Sequence, residues 1–554
     1  MPKAPLNTQP LGEITLLPQA LEDSVARFAA SPAMEFLGRR WSYRHLGRLV
    51  DAAAAGLQKL GVGPGVKVGL CLPNTPYSVI LYYAVLKTGG VVVNFNPLYV
   101  ARELIQQIDD SGTTIMAVPD LPDIQNKLSD LIGKTSLTKL IICPLANAMP
   151  AAKGLVYRVT HAKDIAPTPH DGRHLTFREL TRMQRIPGRV TLRPEDLAVL
   201  QYTGGTTGVP KGAMLTHGNL AANTVQTLSI MGAGGGGQER LVAVLPLFHV
   251  FAMTAVMNCA IHAGSEILLL PRFEVTALLK LIARYRATVM HAVPTIYSAI
   301  NEAAAGSGAD LRSIHFCISG GAPLPADVAE KFRALTGCVL AEGYGLSETS
   351  PVVTCNPRDG SGKLGSVGPP LPGTTVEIRD PADPSRVLPI GEHGEVCIRG
   401  PQVMAGYWNR PKDTEDIFVD GALRTGDVGY LDEDGYLFLV DRIKDLIISS
   451  GYKVYPRVIE EALYAHPDVA EAIVIGVPDQ YRGQSPKAFV ALRPGSTATG
   501  ESLLEYLAGQ VSKIELPKEV VIRAALPKTA IGKPSKKDLI EQEQASAAVA
   551  AAPP

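Results

Sequence analysis

The sequence predicts an α/β protein with a large multi-subdomain N-terminal domain, which contains two parallel-type αβ sheets and a β-rich subdomain, and a small mobile α+β C-terminal domain. Its 554 residues exceed the size at which one hydrophobic core keeps growing, so more than one domain is expected. Short apolar strands alternate with helices between residues 44 and 319, which is typical of parallel sheets covered on both faces. After residue 365 the pattern changes to Gly/Pro turns and short alternating strands, which predict the β-rich subdomain.

The first predicted element is an amphipathic helix. Apolar residues from Leu46 to Leu60 recur at helical spacing, and Gly61 ends the pattern. The alternation continues with helices at 77–86 and 219–227 and with strands at 68–72, 91–93, 114–118, 140–143, 197–200, 267–270, 288–292 and 314–319.

The predicted N-terminal domain covers residues 1–441, and its β-rich subdomain covers about 365–441, with strands at 375–379 and 394–399. Asp441, Arg442, Lys444 and Asp445 separate the apolar segments 436–440 and 446–448, and this many charges fit a hinge better than a core. The C-terminal domain is predicted over 442–540, with helices at 456–465 and 503–511 and strands at 472–477, 488–492 and 520–522. The tail 541–554, mostly Ala, Gln, Glu and Pro, is predicted to be disordered.

The composition excludes several classes of function. Lys and Arg together number 53, as do Asp and Glu, so no overall charge favours nucleic acid. The seven cysteines are scattered without metal-ligand spacing, which indicates buried thiols in a reducing cytoplasm. The N-terminus contains no long apolar segment, so no secretory signal is expected.

Residues 241–265 contain no Asp, Glu, Lys or Arg and are long enough to span a bilayer. Pro246 interrupts the segment, and His249, Asn258 and His262 would be costly in lipid. A buried strand through Leu245 followed by a buried helix explains the segment better.

Residues 202–213 suggest a phosphate site. Glycines allow backbone N–H groups to approach an anion, while Thr203, Thr206 and Thr207 add hydroxyl donors and Lys211 adds a positive charge. The spacing is not that of the Walker loop, and a flexible surface loop has a similar composition. The position between the strand at 197–200 and the helix at 219–227 favours a ligand site, because α/β proteins bind ligands at strand ends.

Three further segments carry related chemistry. Residues 342–349 combine glycines with an aromatic ring that could stack on a base and a carboxylate that could hold Mg²⁺. Asp427, after Thr425 and Gly426, could accept hydrogen bonds from both hydroxyls of a ribose. Lys533 lies on a predicted loop that contains glycine. Taken singly, these segments are also explained by a polar turn and a solvated lysine.

In this order and spacing, the segments resemble the adenylate-forming superfamily of acyl-CoA synthetases, luciferases and peptide-synthetase adenylation domains. The resemblance extends from Trp41 to Lys533, and within the superfamily it is greatest to bacterial long-chain fatty acyl-CoA synthetases. It also includes the segments 246–249, 319–323, 400–408 and 450–456.

The resemblance implies the following sites. The residues that it implies for binding ATP and AMP are Tyr202, Thr203, Gly204, Gly205, Thr206, Thr207, Gly208, Lys211, Gly321, Ala322, Pro323, Glu342, Gly343, Tyr344, Gly345, Ser347, Asp427, Arg442 and Lys533. The acyl pocket would contain His249, Val250, Phe251, Met253, Gly320 and Gly343, and the CoA site Ser450, Gly451 and Tyr452. Catalysis is assigned to Lys533, Thr206, His249 and Glu348, metal binding to Thr203 and Glu348, and the hinge to Lys444.

The implied function is an ATP-, Mg²⁺- and CoA-dependent ligase of long-chain fatty acids, cytoplasmic and peripheral at the inner face of the membrane. The alternatives are a medium-chain or aryl-CoA ligase, a fatty acyl-AMP ligase that loads a carrier protein, and a non-catalytic lipid-binding protein. A homodimer is also consistent with the resemblance. The sequence departs from the family at Phe251, Ala252 and Met253, where an aromatic gate is common, and at Pro534, where a branched aliphatic residue is usual.

Overall fold

The protein is described by a computed structural model that covers residues 11, 14–183, 186–203, 210–232, 239–449, 452–479, 482–528 and 535–550. Its internal contacts divide the chain into two compact units. The first contains Met1–Leu364, Gly368–Thr375 and Ile398–Leu423, and the second contains Gly365–Val367, Val376–Cys397 and Arg424–Pro554. Most of the β-rich segment therefore groups with the C-terminal residues, and a functional boundary at residue 441 stays a prediction.

The β-strands have the following bounds, in chain order. They are β1 (Pro32–Phe36), β2 (Arg39–Ser42), β3 (Lys67–Leu70), β4 (Val91–Asn94), β5 (Ile115–Pro119), β6 (Lys139–Cys143), β7 (His174–Thr176), β8 (Leu197–Thr203), β9 (Lys211–Thr216), β10 (Arg240–Ala243), β11 (Glu266–Leu269), β12 (Val289–Ala292), β13 (Phe316–Gly320), β14 (Leu340–Gly345), β15 (Val352–Cys355), β16 (Thr375–Arg379), β17 (Gly394–Arg399), β18 (Phe418–Val419), β19 (Ala422–Leu431), β20 (Leu437–Arg442), β21 (Ile447–Ser449), β22 (Tyr452–Val454), β23 (Val469–Asp479), β24 (Gly483–Leu492) and β25 (Glu519–Ile522).

The α-helices, likewise in chain order, are α1 (Leu17–Arg27), α2 (Tyr43–Lys59), α3 (Pro76–Lys87), α4 (Ala101–Ser111), α5 (Pro122–Ser129), α6 (Leu145–Ala148), α7 (Ala151–Thr160), α8 (Phe177–Met183), α9 (His217–Met231), α10 (Cys259–Ala263), α11 (Val275–Tyr285), α12 (Pro294–Ser307), α13 (Ala326–Thr336), α14 (Pro411–Ile417), α15 (Pro456–Tyr464), α16 (Gly500–Ala508) and α17 (Lys536–Ala550). A π-helix covers Ala252–Asn258, and 3₁₀ turns cover Ala162–Asp164, Ser347–Thr349 and Ile443–Asp445.

Among the described residues the strands form four sheets. In the first unit, one sheet has the order β15-β14-β13-β12-β10-β11-β1-β2 and another the order β7-β6-β5-β3-β4-β8-β9. Both are largely parallel, with antiparallel pairs β1–β2, β14–β15 and β8–β9 at their edges. A third sheet has the order β16-β17-β19-β18, with β20 on β19, and the fourth has the order β22-β21-β24-β23, with β25 on β24. The predicted α/β class is confirmed.

Helix α2 illustrates how the sequence determines the fold. The Ser42 side chain accepts a hydrogen bond from the backbone N–H of His45 at 3.3 Å, which satisfies a free donor at the helix start. Leu46, Val50 and Leu57 of the predicted apolar stripe are buried, and Leu49 and Leu60 are partly buried. All seven cysteines are within the described residues, are buried and form no disulfide.

Two sequence predictions are corrected. The strand β9 separates the phosphate segment from the following helix, so the segment closes a β-hairpin instead of joining a strand directly to a helix. The predicted disorder from residue 541 is wrong for residues 541–550, which continue α17, because Ala, Glu and Gln are strong helix formers.

The uncharged segment 241–265 contains β10, the π-helix and α10, as buried elements of the first unit. The predicted strand through Leu245 ends earlier, at Ala243. Within the described part of the chain, no helix is long and apolar enough to cross a membrane.

Candidate active site

The carboxyl ends of β13 and β14 form one wall of the site. Gly320 pairs with Gly343 at the ends of these parallel strands, where α/β sheets bind ligands. Just beyond β13, Gly321 has φ +82°, which glycine adopts without strain. The backbone N–H of Leu324 donates to Glu342 Oε1 at 3.2 Å, so the Glu342 carboxylate ties down the turn that contains Ala322 and Pro323. The two segments predicted to frame adenine are thus brought together.

Tyr344 and Gly345 continue β14 and pair with β15. Tyr344 is half-buried and lies opposite Thr354. A Cβ atom at Gly345 would lie 2.0 Å from the carbonyl oxygen of Pro351, so only glycine fits there. The chain then turns directly into Ser347–Thr349, which carries Glu348.

The β8–β9 hairpin forms a second wall. Thr203 pairs with Lys211 at the end of the hairpin where the chain passes from β8 to β9. The predicted loop residues Gly204, Gly205, Thr206, Thr207 and Gly208 lie outside the described residues, and their phosphate contacts stay a prediction.

Residues 405–408 pair with the free edge of β9. Met214 donates its backbone N–H to the Gly406 carbonyl at 2.9 Å, and the backbone N–H of Ala405 donates back to Met214 at 2.9 Å. The backbone N–H of Trp408 donates to Gly212 at 2.8 Å. This pairing fixes Tyr407 beside the hairpin.

Lys211, Tyr407 and Glu348 form a connected polar group. The Lys211 Nζ lies 2.6 Å from Asp413 Oδ1 and 5.3 Å from the centre of the Tyr407 ring. The Tyr407 hydroxyl donates to Glu348 Oε1 at 2.8 Å. Burial, together with the Glu348 charge, raises the pKa of Tyr407, so this phenol stays protonated and keeps donating to the carboxylate.

Glu348 has the chemistry of a magnesium ligand. The 3₁₀ turn that carries Glu348 packs beside both strands of the hairpin, including β8, which ends at Thr203. Mg²⁺ prefers hard oxygen ligands such as carboxylates and hydroxyls. Among the described residues, no group of three or more His, Cys, Asp or Glu side chains could hold a metal ion. A single carboxylate suits Mg²⁺ that is shared with phosphate oxygens and water.

Tyr202 is placed differently from the other residues of its segment. Its side chain is buried in the core of the seven-stranded sheet, and its hydroxyl donates to Asp110 Oδ2 at 2.6 Å. Arg410 pairs with the other oxygen of Asp110 at 2.8 Å. The phenol therefore supports the base of the hairpin, and a contact of Tyr202 with nucleotide stays a prediction.

His249, Phe251 and Gly320 of the predicted acyl pocket come together. The Phe251 backbone N–H donates to His249 Nδ1 at 3.3 Å. A Cβ atom at Gly320 would lie 3.2 Å from the Phe251 ring, so the glycine makes room for this aromatic side chain. The neighbouring Val250 is buried.

Met253 points into the core. It is fully buried, and Asn94 Nδ2 donates to its sulfur at 3.3 Å. Asn94 also lines a cavity of about 10 Å³ together with Phe248 and Met257. That volume suits about one water molecule, so an acyl chain would enter here only if side chains such as the flexible methionines move.

His291 lies behind Phe251 and was not singled out by the sequence. Its ring stacks on that of Phe251, with 6.3 Å between the ring centroids. Its Nδ1 accepts a hydrogen bond from the backbone N–H of Ile318 at 3.2 Å. Burial lowers the pKa of His291 from 6.5 to about 3, so it is neutral at physiological pH.

In the second unit, the predicted ribose ligand Asp427 lies opposite Arg442 in the β19–β20 pair. Asp427 is buried, and its Oδ1 lies 2.9 Å from Arg442 Nε. The Thr425 hydroxyl donates to the Val396 carbonyl at 2.8 Å and accepts the backbone N–H of Asp427 at 3.0 Å. A buried carboxylate is thereby held in one orientation.

The predicted hinge contains charged groups whose pKa values are shifted by their surroundings. Burial lowers the pKa of Lys444, the predicted hinge residue, and burial raises the pKa of Asp441. Lys536 lies 3.2 Å from Glu460. Burial would lower the pKa of Lys536, but the negative charges of Glu460, Asp441 and Asp445 raise it above its usual value.

Three predicted residues, Ser450, Gly451 and Lys533, lie outside the described residues, and Tyr452 opens β22. Their roles stay predictions. Sequence reasoning missed Asp413, His291 and Asp110. Asp413 lies in the first turn of α14 and His291 in a buried strand, and nothing in the local sequence marks either as part of a site.

Two family models match the chain. The AMP-binding enzyme model matches residues 21–408, and the AMP-binding enzyme C-terminal domain model matches residues 458–533. The chain is 41% identical to a long-chain-fatty-acid–CoA ligase of Bacillus subtilis over 95% of this chain and 94% of the relative. It is 34% identical to a feruloyl-CoA synthase of Amycolatopsis over 92% and 96% of the two chains. The ATP-bound structure of MatB from Rhodopseudomonas palustris matches with a TM-score of 0.83 and 30% identity, over 96% of this chain and 99% of MatB.

The burial of His291 predicts that the folded protein loses stability at acidic pH. Because its pKa is lower in the folded than in the unfolded chain, its contribution to stability is present above pH 6.5 and is lost as the pH falls towards about 3. Replacing His291 with Asn should make the dependence of the unfolding free energy on pH shallower by about 1.4 kcal/mol per pH unit between pH 6 and 4. Urea unfolding at several pH values measures this slope. The exposed His170→Asn is the control, and equal slopes for His291→Asn and wild type would contradict the assignment.

Proposed function

Because the chain belongs to the AMP-binding enzyme family, we propose that it is an AMP-forming long-chain fatty acid:CoA ligase. It activates a fatty carboxylate with ATP, which gives an acyl-adenylate and pyrophosphate. The CoA thiol then attacks the acyl carbonyl, the thioester forms and AMP leaves.

The chemistry explains why charge is needed more than a nucleophile. A carboxylate is a poor acyl donor because its leaving group would be oxide, and adenylation replaces that group with AMP. In the first step the carboxylate approaches the α-phosphate, so two anions must be brought together. Positive charge and in-line positioning therefore dominate catalysis.

The observation that carries the proposal is the Lys211–Tyr407–Glu348 group beside the β8–β9 hairpin. Lys211 supplies a positive charge for phosphate oxygens, and Asp413 holds it there until ATP competes for it. Glu348, with Thr203, would hold Mg²⁺, which neutralises phosphate charge when bound. The Tyr407 hydroxyl fixes the orientation of the Glu348 carboxylate.

The substrate class rests on similarity along nearly the whole chain. The Bacillus subtilis relative is named for long-chain fatty acids, and the less similar Amycolatopsis relative is named for an aryl acid, which keeps an aryl-CoA ligase as the alternative. The acyl-AMP ligases of the superfamily resemble this chain less, because the sequence between Asp441 and Tyr452 lacks the insertion they usually carry there. CoA is therefore the favoured acceptor.

A panel of acids distinguishes these functions. Pyrophosphate release should be fastest with C16 and C18 acids and slower with octanoate and ferulate, and acyl-CoA should accumulate only when CoA is present. Fastest turnover of ferulate would favour the aryl-CoA ligase. Pyrophosphate release in which CoA never becomes acylated would favour an acyl-AMP ligase.

Tyr407→Phe tests the site itself. It removes a hydrogen bond to a carboxylate, worth about 1.5–3 kcal/mol, so kcat/KM for ATP should fall roughly 10- to 100-fold and the Mg²⁺ concentration for half-maximal rate should rise. Thioester formation from supplied palmitoyl-adenylate should stay near the wild-type rate. Tyr99→Phe, at a half-buried tyrosine outside this polar group, is the control. Equal losses in both half-reactions would indicate a folding defect and contradict the role of Tyr407.

We also propose that α7 contacts the membrane surface, where a long-chain acid is found. Leu155, Val156 and Val159 are 63%, 59% and 73% exposed, and only Gly154 of this helix is buried. A Cβ atom at Gly154 would lie 2.3 Å from the Ala146 carbonyl, so the helix packs on its glycine and turns its apolar side chains outward. Lys153 and Arg158 flank them, as in helices that lie on anionic bilayers.

Val159→Asn should weaken binding to vesicles of phosphatidylglycerol and phosphatidylcholine by about tenfold, since an apolar side chain that enters lipid contributes roughly 1.5 kcal/mol or more. Leu98→Asn is the matched control, because Leu98 is equally exposed at 73% but lies away from α7 in sequence. Vesicle co-sedimentation measures both. Equal weakening by the two variants would contradict a specific role for α7.

A further inference from the structure

A cavity of about 350 Å³ lies in the first unit, away from the site described above. It is bordered by β2, α2, α3, α6 and α8. Helices α6 and α8 follow β6 and β7, at the opposite edge of the seven-stranded sheet from the β8–β9 hairpin. Four strand spacings separate β6 from β8, which is about 19 Å. The volume is within the range of small-molecule binding sites.

The charged side chains that line the cavity are Arg39 and Arg178, and none of its described lining residues is acidic. His45 also lines it, and burial lowers the pKa of this imidazole. The guanidinium of Arg39 is fixed: Nη1 donates to the Asn147 carbonyl at 2.8 Å, and the group lies 4.7 Å from the centre of the Trp41 ring. Arg178 is exposed at the rim. The site therefore favours an anion at its mouth.

Part of the remaining lining is apolar, beside the polar side chains of Asn147 and Thr181. Trp41, Tyr77 and Phe177 are buried, and the last two pack edge to face at 4.8 Å. The Tyr77 hydroxyl donates to the Pro144 carbonyl at 3.0 Å, so it needs no ligand. Leu49 and Ile80 add aliphatic surface. An anionic group joined to an apolar chain matches this arrangement better than a free anion does.

We propose that this cavity binds a second fatty carboxylate, distinct from the molecule that is activated, with its carboxylate at Arg178 and Arg39 and its chain against Trp41, Ile80 and Phe177. A planar carboxylate matches the fork of donors on a guanidinium. The binding does not depend on the proposed ligase reaction.

Two observations indicate a role for this cavity in the uptake of the fatty acid. The side-chain oxygen of Asn147 accepts a hydrogen bond from Arg158 of α7, so the rim of the cavity adjoins the helix proposed to contact lipid. Helix α3 lies between this cavity and the small one near Met257, because Tyr77 and Ile80 face the former whereas Ser78 and Tyr82 face the latter. A fatty acid taken from the bilayer would thus be held one helix away from the predicted acyl pocket.

Tryptophan fluorescence can test the proposal, since Trp41 and Trp408 are the only tryptophans in the sequence. In the Trp408→Phe protein, 2-bromododecanoate should quench Trp41 saturably, because bromine quenches on contact and its place beside the carboxylate brings it next to Arg39 and Trp41. A stable palmitoyl-adenylate analogue at saturating concentration keeps the proposed catalytic pocket filled. Arg178→Glu should raise the Kd for quenching by about tenfold or more, as expected for the loss of one charged contact. Arg182→Glu, one turn further along α8 and outside the lining, should leave it unchanged.

A second variant, a second probe and an activity measurement complete the test. Thr181→Phe, which fills the cavity from α8, should abolish quenching, and 2-bromododecanol, which lacks the carboxylate, should quench weakly. Arg178→Glu should keep the wild-type kcat for pyrophosphate release, so loss of the second site is distinguishable from failure of the proposed ligase function. No quenching of Trp41, equal quenching in Arg178→Glu and Arg182→Glu, or displacement of bromododecanoate by inorganic phosphate alone would overturn the proposal.

Discussion

The pairing of residues 405–408 with the edge of β9 is the contact on which the phosphate side of the site depends. Without it, Tyr407 would have no fixed position between the hairpin and Glu348. The same segment continues into Trp408, whose indole N–H donates to the Asp110 carbonyl at 3.0 Å, while the side chain of Asp110 holds Tyr202. One stretch of backbone therefore supports both strands of the hairpin, β9 directly and β8 through Asp110.

A charged side chain that is removed from water needs a partner of opposite charge or a hydrogen bond, and the buried charges near the site have such partners. Asp110 is shared by Tyr202 and Arg410, and Lys211 is held by Asp413. In the second unit, Lys536 stays charged because carboxylates surround it, and a buried ion pair of this kind is costly to break by removing one partner. Asp441 and Asp445 of the predicted hinge thus share a cluster of charges with Lys536.

The sequence predicted elements well where the pattern was long or clearly periodic. The bounds of β16 and β17 and the apolar face of α2 were confirmed. Strand β9 was missed because residues 211–216 contain glycine and only one β-branched residue. One of its two neighbours, β8, is close in the sequence, but the other, 405–408, is almost 200 residues away. The inward direction of Tyr202 was missed for the same reason, since Asp110 and Arg410 become its neighbours only in the folded chain.

The residues of the site also show why a motif predicts position better than role. Gly320 and Gly343 were expected near the acyl chain, and the structure gives the reason for the first: a side chain there would meet Phe251. Phe251 in turn is backed by the neutral ring of His291, so the aromatic side chain next to His249 is supported by a group that carries no charge. A charged residue in place of His291 would need a counter-charge that the buried strand β12 does not offer. A wall without an unpaired charge is what the predicted acyl pocket requires, because an apolar chain beside a buried charge would leave that charge without water.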